Sequence, residues 1–282
     1  MDLAPNAVDD TYSECRDKML AKVLGEDGIL QNELSNIDNT MFKNAWNTTA
    51  CGDQVPGGIP EHVKAFQVFG NNHKLAKVFN AAVKDKGGVY TDQFQFKSLH
   101  FLLMDAMRLL NNGSKCQTVY AGSFDTYIAQ KDDTVRFGRF ISAYTSRSEA
   151  EEGCADDGGT LIEIRTCSVV DVQNHACSTE NAVMLISPVE SFTVQEVGKG
   201  RECDNEIKLS SAGIHPNHDC YLFPKMPTTT SAPATTTTSK PTSRSTASTT
   251  AASATGAAAR WVEPHWLLLL TTVSHFCFLL SQ

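Results

Sequence analysis

Nine cysteines are many for this 282-residue chain, and their spacing decides what chemistry they do. No C-x-x-C pair and no Cys/His metal spacing occurs, so no metal centre is expected. Eight of the nine lie before residue 221, an even set that suits disulfides in an oxidising compartment. Other groups with chemical potential crowd between Cys116 and Pro188: Arg136, Arg139, Ser142, Glu163 and Glu180. Glu163 alternates with Ile162 and Ile164, the pattern of a solvent-facing strand residue. Arg139, inside Phe137-Gly-Arg-Phe140, is expected to point to solvent. His100 falls within an apolar helical stripe and reads as a core or edge residue rather than a ligand.

The elements that must position these groups divide the chain in two. Before Asn111 the apolar period is helical, over Asp9–Leu24, Leu30–Trp46, Glu61–Phe69, Lys74–Val83 and Phe94–Leu110. The last of these is the clearest, with Phe96, Leu99, Leu102, Leu103, Ala106 and Leu110 on one face and Asn111-Asn-Gly closing it. From Cys116 onward, short β-branched and aromatic runs bounded by Gly, Asp, Asn or Ser read as strands. They are Cys116–Gly122, Arg136–Tyr144, Gly159–Cys167, Ala182–Pro188, Glu190–Val197, Glu206–Leu209 and Cys220–Phe223, with a little helix at Arg147–Glu152. Helices followed by strands indicate an α+β domain over residues 1–225, helical in 1–113 and β in 114–225.

Composition sets the surroundings. A net charge of −8 without a basic run disfavours nucleic acid. Residues 226–256 are Thr, Ser, Ala and Pro, a stalk that cannot bury a core. Residues 257–282 then offer a polar spacer and the apolar end Trp266–Leu280, short for a membrane span. With small residues at Ser253–Ala259, this reads as a glycolipid-anchor (GPI) signal, a retained transmembrane helix being the alternative. The sequons at Asn47 and Asn112 fit an extracellular surface. The opening Met1-Asp-Leu-Ala-Pro lacks an apolar leader, so the natural start is expected upstream.

Six motifs together resemble the vertebrate ecto-ADP-ribosyltransferases, GPI-anchored NAD–protein-arginine mono-ADP-ribosyltransferases. They are Asp9-Asp-Thr-Tyr-Ser-Glu-Cys15, Phe94-Gln-Phe-Lys-Ser-Leu-His-Phe101, Val119-Tyr-Ala-Gly122, Arg136-Phe-Gly-Arg-Phe140, Leu161-Ile-Glu-Ile-Arg-Thr-Cys167 and Met184-Leu-Ile-Ser-Pro188. The resemblance covers residues 5–223. It implies a two-sheet NAD cleft beside a helical region, a monomer at the cell surface, and disulfides Cys15–Cys220 and Cys116–Cys167. Cys51, Cys154, Cys177 and Cys203 stay unassigned.

The same resemblance implies that NAD is the substrate and a protein arginine the acceptor. It assigns an arginine to the NAD phosphates, where this chain has Ala121 followed by Gly122. It assigns a serine to the nicotinamide ribose, matched by Ser142. A glutamate that stabilises the oxocarbenium-like transition state is replaced by Val183, and one that steers the acceptor by Asn181. Glu180 is the nearest possible substitute, although three residues along a strand would put it on the other face. These departures imply weak or absent transfer. The alternative is an inactive binding or adhesion protein on the same fold.

Overall fold

The structure, a computed structural model, describes residues 1–48, 51–111, 113, 115–155, 158–176 and 184–223. Asn112, Glu180, Asn181 and Val183 lie outside the described residues, as do Cys177, the stalk and the anchor segment.

The helical region is α1 (Arg16–Leu24), α2 (Ile29–Ser35), α3 (Thr40–Trp46), α4 (Pro60–Asn71), α5 (His73–Asp85), α6 (Tyr90–Gln93) and α7 (Lys97–Leu110). Its centre is α7, buried continuously from Ser98 to Met107. No side chain of its own caps this helix. Glu33 on α2 does so, accepting from the Lys97 amide at 2.7 Å and the Ser98 amide at 3.1 Å. A carboxylate there satisfies orphan donors and faces the positive end of the helix dipole. His100 sits fully buried within α7. Its Nε2–H donates to the Val8 carbonyl at 3.1 Å, which leaves Nδ1 to accept from the Tyr12 hydroxyl at 2.8 Å. Burial lowers its pKa to about 4. It is a satisfied core histidine, as its place in the stripe predicts.

Two sheets follow. The larger has the order β1 (Gln117–Ser123), β4 (Thr160–Thr166), β8 (Asn205–Ile214), β7 (Glu190–Gly198), β2 (Thr134–Arg136). Its β4–β8 pair is parallel and the other pairs are antiparallel. The smaller sheet runs β3 (Ile141–Ala143), β6 (Met184–Ile186), β5 (Val170–Asp171). Val119, Ala121, Ile162, Ile164, Val194 and Ile207 of the large sheet share one apolar core with Ala143, Met184 and Ile186 of the small one. A backbone bridge between Tyr120 and Tyr144 joins the two. Two short helices, α8 (Arg147–Glu152) and α9 (Gln173–Ala176), lie among the strands.

Three sequence expectations are corrected. Arg136–Tyr144 is two strands in different sheets, because Gly138 turns the chain at φ +62°, where a Cβ would stand 2.3 Å from the Cβ of Ala4. Leu30–Trp46 is two helices, broken where the Asn36 side chain accepts from the Asp38 amide. Cys220–Phe223 is a turn, and its Tyr221 stacks on Tyr90 at 4.6 Å.

Both disulfides implied by the resemblance are present, Cys15–Cys220 and Cys116–Cys167. Cys154 pairs with Cys203, and Cys51 is disulfide-bonded as well. Asn47 is exposed at the end of α3. Among the described residues no helix is long and apolar enough to cross a membrane.

Candidate functional site

A cavity of about 340 Å³ opens between the helical region and the strands. One wall is helical. Residues His73, Ala76, Lys77 and Asn80 recur at helical spacing along α5 and present one face to it, with Phe66 and Phe69 of α4 behind. The other wall is the end of β1 (Ala121, Gly122, Ser123), then Tyr127, the segment Phe137 to Ser142, and Leu185 of β6.

This wall gathers three positions singled out from the sequence. Ala121 is 5% exposed and pairs with Ile162 across β1–β4, so both the strand register and the neighbouring core are apolar there. Ser142 is exposed to the cavity and lies directly opposite Leu185. Among the described residues its hydroxyl has no protein partner. Gly122 lines the cavity too, but what requires glycine is α8: a Cβ would come within 1.9 Å of the Ala150 carbonyl oxygen. Val183, Asn181 and Glu180 lie outside the described residues. β6, which begins at Met184 immediately after Val183, pairs with β3 beside Ser142.

The two arginines of the Phe137-Gly-Arg-Phe motif region have opposite fates. Arg136 is buried and donates to the Asp9 carboxylate at 2.8 Å and to the carbonyls of Leu3, Ala4 and His215, and it does not line this cavity. It pins the N-terminal segment to β2. Arg139 does not simply point to solvent as the sequence suggests. Gly138 redirects the chain, and the half-buried Arg139 lines the cavity, donating to the Tyr127 hydroxyl. Glu163 is half-buried on β4 opposite Tyr120 and Lys208, and it lines no part of the cavity.

Electrostatically the described lining is one-sided. It holds Lys77, Arg139 and His73 and no carboxylate, although the chain as a whole carries net charge −8. Neither Lys77 nor Arg139 has an acidic partner among the described residues. A concave, partly apolar site edged by Lys77 and Arg139 favours an anionic ligand with a flat organic portion. The α5 face was missed in the sequence, although His73, Lys77 and Asn80 at i, i+4 and i+7 are a helical signature of one shared surface.

Comparisons with known proteins identify the family and the fold. Residues 1–216 match the family model described as NAD:arginine ADP-ribosyltransferase. The GPI-linked NAD(P)(+)–arginine ADP-ribosyltransferase 1 of Mus musculus is 30% identical over 237 residues, covering 78% of this chain and 72% of the relative. The ecto-ADP-ribosyltransferase 4 of Mus musculus is 31% identical over 240 residues, covering 79% and 76%. The crystal structure of the eukaryotic mono-ADP-ribosyltransferase ART2.2 superposes with a TM-score of 0.64 at 28% identity, over 78% of this chain and 98% of that one. A variant of ART2.2 with one glutamate changed to isoleucine, solved in complex with NAD, gives the same TM-score over 97% of its length. The fold is that of the ADP-ribosyltransferases, and the chain belongs to the NAD:arginine ADP-ribosyltransferase family.

Proposed function

We propose that the chain is a cell-surface member of this family, held by a glycolipid anchor, whose cleft binds NAD but transfers ADP-ribose to arginine slowly or not at all. The observation that carries this reading is Ala121. Where the resemblance implies a guanidinium on the NAD phosphates, the cavity wall offers a buried methyl group. Val183 in place of a glutamate removes, on the same reading, the carboxylate that would stabilise developing positive charge on the ribose. Losing one such contact typically costs about 10²–10³ in rate, and here two are replaced.

Binding is a separate matter from chemistry. ART2.2 holds NAD with a glutamate replaced by a branched aliphatic residue. The present cavity keeps Ser142, its aromatic back wall and two cations. A cleft of this kind acts as a ligand-binding module on a tethered ectodomain.

The test is isothermal calorimetry with NAD on the purified chain, with nicotinamide release followed in the same samples. Saturable binding with release far slower than dissociation supports the reading. An absence of NAD binding, or release as fast as in ordinary enzymes, overturns it.

A further inference from the structure

We propose that Arg139 and Lys77 form an anion clamp that takes over the phosphate-holding role vacated at position 121, gripping the nucleotide's pyrophosphate from two sides of the cleft. The proposal rests on the reading above that the cleft accepts NAD, and it names the residues that would hold it.

Three observations support it. Arg139 and Lys77 line the same cavity but belong to different walls, one on the segment after Gly138 and the other on α5. Among the described residues neither is paired with a carboxylate, and no described carboxylate lines this cavity beside them. The two walls are also fixed to each other. Asn80, one turn along α5 from Lys77, donates from Nδ2 to the Phe140 carbonyl at 2.9 Å and accepts the Phe140 amide at 3.0 Å. Phe140 in turn stacks on Phe79 at 5.6 Å. Arg139 is therefore flanked by a glycine turn and a pinned phenylalanine, while the Tyr127 hydroxyl orients its guanidinium. A guanidinium pre-positioned in this way loses little freedom when it binds an anion. Arginine adds a planar fork that matches phosphate oxygens, and lysine adds a point charge.

Residue 121 lies on β1 and Arg139 on the turn between β2 and β3, so the clamp would shift the pyrophosphate relative to a site built on an arginine at 121. Such a shift is compatible with tight nucleotide binding and poor placement of the reacting ribose.

The experiment titrates wild type, Arg139→Gln, Arg139→Lys and Lys77→Gln with four probes: NAD, ADP-ribose, inorganic pyrophosphate and adenosine. Both changed residues are at least partly exposed, and thermal melts confirm that each variant is folded. Arg139→Gln and Lys77→Gln should each weaken NAD, ADP-ribose and pyrophosphate by about 10- to 100-fold, the range for a hydrogen bond to a charged group. Adenosine affinity should be unchanged, and Arg139→Lys should recover part of the loss. Raising ionic strength should weaken only the phosphate-bearing probes. If NAD binds and neither glutamine variant changes its affinity, the clamp is wrong and the NAD reading stands. If pyrophosphate binding depends on both residues but NAD does not bind, the clamp stands and the NAD reading falls. Equal weakening of adenosine would mean that the substitutions disturb the cleft as a whole, and that also overturns the clamp.

Discussion

Asn80 on α5 holds Phe140 by both of its backbone polar groups, at 2.9 and 3.0 Å. Phe140 packs in the core that the helices form, and Ile141 directly after it begins β3. This one amide therefore ties the two walls of the cleft together. Asn80→Ala would leave a buried N–H and C=O without protein partners, at a cost of about 2–4 kcal/mol in unfolding free energy. Urea denaturation should show that loss, and calorimetry should show weaker NAD binding in the folded variant. An unchanged denaturation midpoint would mean that water replaces the amide without penalty.

Gly122 tests the difference between lining a cleft and being required by it. Its missing Cβ makes room for the Ala150 carbonyl, which would otherwise be 1.9 Å away. Gly122→Ala should destabilise the protein by about 1–3 kcal/mol through forced displacement of α8. Differential scanning calorimetry would register this as a drop of several degrees in Tm. A variant with wild-type Tm and lost NAD binding would instead make Gly122 a ligand-contact residue.

Much of this architecture was legible in the residues, and the exceptions have physical causes. The stripe of α7 specifies burial because ten consecutive positions meet core on nearly every side. The strand assignments of β1, β4 and β7 follow from β-branched alternation. Periodicity groups residues onto one face but does not say what that face meets. The α5 face could be read as a face, but its exposure to a ligand cavity could not. Nor does composition report a sign change in φ. Gly138 therefore looked like part of one strand, and Arg139 looked like a solvent residue. Tyr221 has strand propensity, but its stacking on Tyr90 fixes it in a turn.

Two buried groups make the pH dependence of stability informative. Burial pushes the Glu33 pKa from 4.5 up to about 7, against the opposing hydrogen bonds from Ser98 and Lys97. Acidification from pH 7 to 4.5 therefore protonates the folded state first and favours it. Burial lowers His100 from 6.5 to about 4. Acidification from pH 6.5 to 4 therefore protonates the unfolded state first and opposes folding. The two effects oppose each other between pH 4.5 and 6.5, each on the order of 3 kcal/mol over its full window. Glu33→Gln removes the first and should give an unfolding free energy that falls with acid more steeply than in wild type across that range. Urea denaturation at a series of pH values measures it, and parallel curves would contradict the assignment of Glu33.

The most direct measurement is nicotinamide release from NAD by wild type beside the double variant Ala121→Arg with Val183→Glu. The account predicts that wild type turns over at least about 10²–10³ below the ~10 s⁻¹ of a median enzyme. The double variant should be at least tenfold faster than either single change, since a phosphate-positioning group and a charge-stabilising one act as a unit. Wild-type turnover on the order of 10 s⁻¹, with no gain in the double variant, would contradict the claim that the cleft kept its ligand and lost its chemistry.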